Sequence, residues 1–192
     1  MGDTHDYEVV NRLAQHTGWL HAPATAYAND GIVLFGLLLL AAVWLNRRGA
    51  TRLPLARAVL AGAGVLVAVA LNQPIVHAVG EPRPWTRVPG ALVLVHRSVD
   101  ASFPSDHATM AGAVAVGLLV AHRRLGLVAT GLALLMAADR VYVGAHYPVD
   151  VVAGLAVGGL TALAVQLLAP AVTGLLERLS HGPLRPLLVA RS

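Results

Sequence analysis

The chain has 192 residues, of which 56% are hydrophobic and only 12% are charged, and its mean hydropathy is +0.65. A water-soluble domain of this length needs more charged surface, so most of its apolar residues are expected to face lipid, and disordered or collagen-like chains are excluded. The absence of cysteine excludes disulfides and thiolate chemistry, and the net charge of +4 comes from arginines in short gaps between apolar runs, which indicates membrane topology rather than nucleic-acid binding.

The apolar segments predict an all-α integral membrane bundle, with about five to six transmembrane helices in a single domain over residues 1–192. A helix needs about 20 residues to cross a hydrocarbon layer about 30 Å thick. Five segments approach this length: 30–46, 56–79, 106–121, 125–143 and 149–169. Residues 7–27 favour an amphipathic N-terminal helix in the membrane interface, with a sixth crossing as the alternative.

Small and polar residues inside these spans predict contacts between helices. Asn72 and Gln73 are expected to make interhelical hydrogen bonds. Gly154 and Gly158, four residues apart, predict close packing of two backbones, either within the bundle or at a dimer face.

Arginine counts in the connections predict the orientation, because short cytoplasmic loops retain basic residues. Nine arginines lie on one predicted side: Arg47, Arg48, Arg52, Arg57, Arg123, Arg124, Arg178, Arg185 and Arg191. Five lie on the other: Arg12, Arg83, Arg87, Arg97 and Arg140. We therefore expect residues 171–192 to form a cytoplasmic tail, and the 80–105 loop to lie on the extracytoplasmic side of the plasma membrane. The acidic start of the chain predicts no cleaved signal peptide.

Three polar clusters fall at the ends of different spans on the side with fewer arginines. They are Arg83-Pro84, Pro104-Ser105-Asp106-His107, and Arg140 with His146 and Asp150. A helical bundle brings such ends together at one membrane surface. Ionisable groups gathered in a membrane bundle are functional by default, so the clusters predict an active site. The alternative for each residue is anchoring alone, by snorkelling arginines or by a carboxylate that complements a helix dipole.

Two histidines beside two arginines suit phosphoryl transfer, for which no metal is required. Guanidinium groups bind phosphate oxygens bidentately, one imidazole can attack phosphorus, and the other can protonate the leaving oxygen. Asp150 follows His146 by four residues, so its carboxylate is able to fix the tautomer of that imidazole. Ser105 is predicted as a helix N-cap, and the free N–H groups behind it form a phosphate cradle.

These clusters resemble, in order and spacing, the three signature motifs of the type-2 phosphatidic acid phosphatase superfamily, over a core of residues 70–160. The aspartate in the second motif and the run 142–150 are most similar to the bacitracin-resistance type of undecaprenyl-diphosphatase. The resemblance implies that His146 is the nucleophile and forms a phosphohistidine, that Asp150 activates it, and that His107 protonates the leaving group. It implies that Arg83, Ser105 and Arg140 bind the phosphate, and we add Asp106 to this set as a candidate of this chain. No cofactor and no metal are expected.

Three positions depart from the family pattern or raise a charge problem. Val76 stands where the first motif has lysine, and Arg87, Arg97 or His77 are the candidates to supply the missing charge. Asp139 stands where the third motif has serine, and is expected either to orient Arg140 or to face a neighbouring helix. Asp106 carries like charge to a phosphate, which pairing with an arginine or sharing a proton would relieve.

The first functional hypothesis is a phosphatase that converts undecaprenyl or another polyprenyl diphosphate to the monophosphate at the outer leaflet, in lipid-carrier recycling for the cell wall. Hydrolysis of phosphatidic acid or phosphatidylglycerophosphate is the alternative with the same chemistry. A non-enzymatic anion or metal transporter is the alternative of another class. It is disfavoured because transporters place ionisable groups near the bilayer midplane, whereas here they lie at the ends of the predicted spans. The expected partners are the lipid substrate and membrane lipids, not nucleic acid, and the oligomeric state stays open.

Overall fold

The computed structural model describes residues 2–47 and 51–180, and all regular structure within these ranges is helical. The elements in chain order are α1 (Gly2–His16), the 3-10 turn η1 (Gly18–Leu20), α2 (His21–Asp30), α3 (Ile32–Asn46), α4 (Leu53–Val79), α5 (Pro84–Arg87), α6 (Asp106–Ala121), α7 (Arg123–Tyr142), α8 (Pro148–Gln166) and α9 (Ala169–Leu179). The predicted all-helical membrane fold is confirmed. The predicted tail is helical as far as Leu179, and its residues 181–192 lie outside the described ranges.

Three stretches are long and apolar enough to cross a membrane, namely Leu53–Arg87, which contains α4, and the helices α7 and α8. A fourth candidate joins η1 and α2 to α3 across a bend of 51°. By length and composition the described residues therefore offer three or four spans, against five to six predicted. The difference arises because α6, with 16 residues, is short for a crossing, and because α3 reaches the required length only together with α2.

Helix α6 is the centre of the bundle and packs against α3, α4, α7 and α8. Its bounds coincide with the predicted segment 106–121. Ala111, Val114 and Leu118 are buried on it, in an apolar cluster with Phe35 of α3 and Met136 of α7. At 1.5 Å per residue α6 is about 24 Å long, less than the hydrocarbon thickness of about 30 Å. At least one end of this central helix therefore stops short of the surface of the hydrocarbon layer.

Small residues let α8 approach α6 at backbone distance. A Cβ atom at Gly158 would overlap the carbonyl oxygen of Thr109, and one at Gly154 would lie 2.6 Å from the carbonyl oxygen of Ser105. Both obstacles are backbone atoms of α6, which cannot rotate away. The glycine pair therefore serves packing within the bundle, which was the first of its two predicted roles.

The N-terminal segment is divided where the sequence predicted one amphipathic helix over residues 7–27. Helix α1 ends at His16, and the Thr17 hydroxyl lies 2.8 Å from the carbonyl oxygen of Leu13 and 2.7 Å from the hydroxyl of Tyr142. These contacts fix the chain at the point where it turns into η1. Helix α1 keeps the amphipathic character, because Tyr7 and Ala14 are fully buried while the polar residues His5, Arg12 and Gln15 are exposed.

We expect Gly158→Ala to lower the stability of the folded protein by about 1–3 kcal/mol, because the added methyl group meets backbone that cannot give way. Gly36→Ala is the matched control, since Gly36 lies in α3 and a Cβ atom there meets nothing within 4 Å. Thermal unfolding of both variants in the same detergent checks the prediction. Equal melting temperatures for the two variants would contradict the close packing of α6 and α8.

Candidate active site

The N-terminal ends of α6 and α8 lie side by side, and the site forms around them. The backbone N–H of Ser105 donates to the carbonyl oxygen of Asp150 across 3.1 Å, which joins the two helix starts directly. The turn between α7 and α8 carries His146, and the loop that follows α4 carries Arg83. The three polar clusters, in which Arg83 and His146 lie 63 residues apart in the sequence, therefore meet at one end of the bundle, as predicted.

The two ring nitrogens of His146 have partners that define a single tautomer. Nδ1 lies 2.9 Å from the carbonyl oxygen of Ser102, and because a carbonyl only accepts, Nδ1 carries the proton. Nε2 lies 2.9 Å from a terminal nitrogen of Arg83, and because a guanidinium only donates, Nε2 presents its lone pair. The nucleophilic electron pair of the ring therefore points at a group suited to binding phosphate oxygens.

The surroundings of His146 keep its ring uncharged. The side chain is almost fully buried, and this burial lowers its pKa from 6.5 to about 4. The positive charges of Arg83 and Arg140 act in the same direction, while the carboxylate of Asp150 opposes them. At neutral pH the imidazole is neutral, which is the state that a nitrogen nucleophile requires.

Asp150 caps α8 and faces the ring of His146 at the same time. Its Oδ2 accepts the backbone N–H of Tyr147 at 2.9 Å and the hydroxyl proton of Ser102, and lies 3.5 Å from Nδ1 of His146. Pro148 occupies the first turn of the helix, where its missing N–H costs nothing. One carboxylate therefore complements the helix dipole, which was its predicted alternative role, and also lies beside the imidazole.

The two arginines approach the site from different elements. Arg83 donates from Nη1 to the carbonyl oxygen of Ala145 at 3.1 Å as well as to His146, so it is held against the turn. Arg140, at the end of α7, is 8% exposed and donates to the carbonyl oxygen of Ala28 at 3.3 Å. Its Nε has no partner among the described residues. A buried guanidinium N–H without a partner is costly, and an anion in the site would relieve that cost.

Ser105 and His107 begin helix α6 beside this cluster. The hydroxyl oxygen of Ser105 accepts the backbone N–H of Ala108 at 3.5 Å, so the predicted N-cap is confirmed. His107 lies in the first turn and interacts electrostatically with Arg140 and His146. The second histidine therefore belongs to the same group of ionisable residues as the first.

Asp106 turns away from the arginines and bonds to helix α4. Its Oδ1 accepts the side-chain amides of Asn72 at 2.7 Å and Gln73 at 3.0 Å. Asn72 also donates to the carbonyl oxygen of Pro104 at 3.2 Å. The predicted interhelical hydrogen bonds of both amides are confirmed, and they supply the compensation that the sequence sought for Asp106 in an arginine or a shared proton.

The other departures from the family pattern also have defined surroundings. Val76 is buried in α4, and Arg87, one candidate for the missing charge, pairs with Glu81 at 2.8 Å. Asp139 lines a cavity of about 420 Å³ between α7 and the N-terminal helices. Its carboxylate therefore faces neighbouring helices, which was the second of its two predicted positions.

Three buried polar residues at the site were missed by sequence reasoning. Ser102 contacts both His146 and Asp150, and nothing in its local sequence indicates this. Asn11 of α1 bonds to both backbone groups of Leu92, at 2.8 and 2.9 Å, and Tyr7 donates to the carbonyl oxygen of Gly144 at 3.3 Å. The spacing of Tyr7 and Asn11, four residues apart on one helix face, is the only signal that could have indicated such a contact.

Comparison with known proteins identifies relatives of this chain. The family model of the PAP2 superfamily matches residues 57–173. The undecaprenyl-diphosphatase BcrC of Bacillus subtilis is 33% identical over 151 residues, which cover 79% of this chain and 76% of the relative. A decaprenylphosphoryl-5-phosphoribose phosphatase of Mycobacterium tuberculosis is 34% identical over 154 residues, which cover 79% of this chain and 84% of the relative.

A solved structure shares the fold. The crystal structure of a transmembrane PAP2-type phosphatidylglycerolphosphate phosphatase from Bacillus subtilis matches with a TM-score of 0.62 and 22% sequence identity. The match covers 87% of this chain and 86% of that one. The helical arrangement around α6 is therefore a known membrane fold.

We expect the ring of His146 to titrate near pH 4 instead of 6.5, because burial disfavours the imidazolium. The ring gains its proton only as the pH falls through about 4, so the Nε2 lone pair is available at every higher pH. Long-range ¹H–¹⁵N spectra of histidine-labelled protein in detergent, assigned with His146→Gln, check both the midpoint and the Nδ1–H tautomer. A midpoint above pH 6, or a proton on Nε2, would contradict the geometry.

Proposed function

We propose that this chain, which belongs to the PAP2 superfamily, hydrolyses undecaprenyl or a similar polyprenyl diphosphate to the monophosphate and inorganic phosphate. The chain is a membrane lipid phosphatase, a hydrolase of phosphoester or anhydride bonds. The observation that carries the proposal is the neutral, buried His146, whose Nε2 lone pair faces the guanidinium of Arg83. Such an arrangement supplies a nucleophile and an anion site at the same point.

The reaction follows from the hydrogen bonds around His146. In the first step Nε2 attacks the terminal phosphorus, an N–P bond forms, and the bond from phosphorus to the bridging oxygen breaks. His107 takes up a proton when substrate binds, because the phosphate charge offsets the guanidinium groups that act on it, and gives that proton to the departing oxygen, which leaves as the lipid monophosphate. The ring keeps its Nδ1 proton, and the carboxylate of Asp150 at 3.5 Å stabilises the positive charge that develops on it.

The second step returns the enzyme to its starting state. Water attacks the phosphohistidine and loses a proton to His107, the N–P bond breaks, and inorganic phosphate leaves. Nε2 regains its lone pair and His107 regains its proton. The cycle needs only side chains of the site and water.

Phosphate binding draws on donor groups that have no partner, or only a replaceable one, among the described residues. Arg140 has a buried Nε without a partner among the described residues, and Arg83 bonds to a nitrogen that it would exchange for a phosphate oxygen. Ser105 begins α6, whose first N–H groups and dipole favour an anion. Asp106 contributes indirectly in this proposal, since its bonds to Asn72 and Gln73 fix the start of that helix.

The lipid character of the substrate is supported by the short central helix. The site lies at the N-terminal end of α6, which at about 24 Å is shorter than the hydrocarbon layer. The phosphate of a lipid can therefore reach the site while its chains remain in the membrane. The similarity to BcrC favours a polyprenyl diphosphate. Other relatives are named for different substrates, so a phospholipid or a prenyl phosphate is the competing candidate substrate.

We expect purified protein in detergent with EDTA to release phosphate from undecaprenyl diphosphate faster than from phosphatidic acid or phosphatidylglycerophosphate. His146→Ala should abolish release because the nucleophile is lost, whereas His5→Ala should retain it, since His5 is exposed on α1. Phosphate release from each lipid at equal surface concentration checks this. Faster hydrolysis of either phospholipid would overturn the substrate assignment, and an active His146→Ala would overturn the mechanism.

We further propose that the site faces the extracytoplasmic side of the plasma membrane, as the distribution of nine and five arginines predicts. The chain has no cysteine, so single introduced cysteines report topology without background. Val99 is fully exposed in the loop beside the site, and Thr51 is exposed at the opposite end of α4.

We expect Val99→Cys in intact cells to react with a membrane-impermeant maleimide, while Thr51→Cys reacts only after the cells are opened. The label on each variant is measured by the gel shift of the purified protein. Phosphate release by both variants in detergent serves as the control for folding. The reverse labelling pattern would place the site in the cytoplasm.

A further inference from the structure

Ser102 connects three segments of the site although it belongs to none of the predicted motifs. It is fully buried in the loop before α6, and its backbone N–H donates to the carbonyl oxygen of Glu81 at 2.7 Å. Its carbonyl oxygen accepts the Nδ1 proton of His146 at 2.9 Å. Its hydroxyl donates to Oδ2 of Asp150. One residue therefore contacts both members of the His146–Asp150 pair.

The carbonyl oxygen of Ser102, rather than Asp150, is the direct partner of the His146 ring. Nitrogen-to-oxygen hydrogen bonds in proteins span about 2.7–3.2 Å. The distance from Nδ1 to the Ser102 oxygen falls in this range, whereas the distance to Oδ2 of Asp150 is 3.5 Å. The backbone of Ser102 thus determines the tautomer, and the carboxylate acts on the ring through its charge.

The hydroxyl of Ser102 determines how that charge acts. Oδ2 of Asp150 receives the Ser102 proton and the N–H of Tyr147, while Oδ1 is buried without a partner among the described residues. Two donors on one oxygen hold the carboxylate in place beside the ring. Without the hydroxyl, Asp150 keeps a single hydrogen bond and its attraction for a protonated His146 grows.

We propose that Ser102 is a positioning residue that holds His146 and Asp150 at a fixed distance and sets the proton affinity of the His146 ring. The inference rests on the proposed function, in which His146 attacks phosphorus. The charged and titratable neighbours of His146 on the elements packed around it are Arg83 in the loop after α4, His107 on α6, Arg140 on α7 and Asp150 on α8. Ser102 differs from all of them because it carries no charge and acts only through the groups that it holds.

A purely structural role for Ser102 makes a different prediction. If its hydroxyl only fastened the loop, its removal would lower the melting temperature and the amount of active protein, without changing the protonation of His146. If it positions the pair, the protonation equilibrium of the ring changes in protein that remains folded. The two roles are therefore separated by a titration, which needs no substrate.

The experiment compares Ser102→Ala with Thr109→Val, which also removes one fully buried hydroxyl, in this case from a bond to the carbonyl oxygen of Ser105. The ¹⁵N signals of His146 are followed against pH in the free proteins, and kcat and KM for undecaprenyl diphosphate are measured at pH 7. Ser102→Thr, which keeps the hydroxyl, tests for rescue. The melting temperature of each variant monitors folding.

We expect Ser102→Ala to raise the titration midpoint of His146 toward that of an exposed histidine. We expect its kcat to fall roughly 10- to 100-fold with KM changed by less than about twofold, because small misplacements of a nucleophile act on the chemical step. Thr109→Val should leave the midpoint and kcat close to those of the parent protein, and Ser102→Thr should restore part of kcat.

An unchanged His146 midpoint in folded Ser102→Ala would overturn the inference, as would an equal loss of kcat in Thr109→Val. The titration can be interpreted even if the proposed function is wrong, because it uses the protein without substrate. A shifted midpoint in a protein that hydrolyses another lipid would support the positioning role of Ser102 while rejecting the substrate.

Discussion

The site depends on the backbone contact between helices α6 and α8. Gly154 and Gly158 allow α8 to lie against the carbonyl oxygens of Ser105 and Thr109, at a distance that no larger residue permits. Because both helices begin at the same level, their N-termini bring Ser105 and Asp150 into direct hydrogen bonding. The positions of the other catalytic residues depend on where these two helices begin. Small residues that carry neither charge nor a polar side chain thus determine where the charged residues meet.

A second constraint is electrostatic and concerns how a site rich in positive charge keeps a neutral histidine. Burial and two guanidinium groups all disfavour protonation of His146, and only Asp150 favours it. The same guanidinium groups that would hold a phosphate therefore also keep the nucleophile unprotonated. Binding of an anion would partly cancel their charge, so the ring becomes more basic once substrate has arrived. The ring therefore tolerates positive charge best when substrate is bound, which is when its attack on phosphorus creates that charge.

The sequence was sufficient for features that depend on local pattern. Hydropathy predicts the bounds of α6, and the ordered polar clusters predict that Arg83, His107, His146 and Asp150 meet at one end of the bundle. Local pattern did not predict the break after His16, where Thr17 contacts Tyr142 from 125 residues further along the chain. It did not find the amide partners of Asp106, which lie more than 30 residues away. Ser102 escaped for the same reason, because its role depends on tertiary distances alone.

Helix α1 illustrates what long-range contacts mean for the making of the protein. Tyr7 bonds to a carbonyl oxygen 137 residues further along the chain, and Asn11 bonds to a loop 81 residues away. During synthesis α1 leaves the ribosome before α7, yet its binding surface is complete only after α7 has been inserted and the following turn has formed. Until then its buried face has no protein partner, and an amphipathic helix in that state is best accommodated flat on the bilayer surface. Helix α1 is thus made well before its partners are available, and its docking completes the wall behind the turn that carries His146.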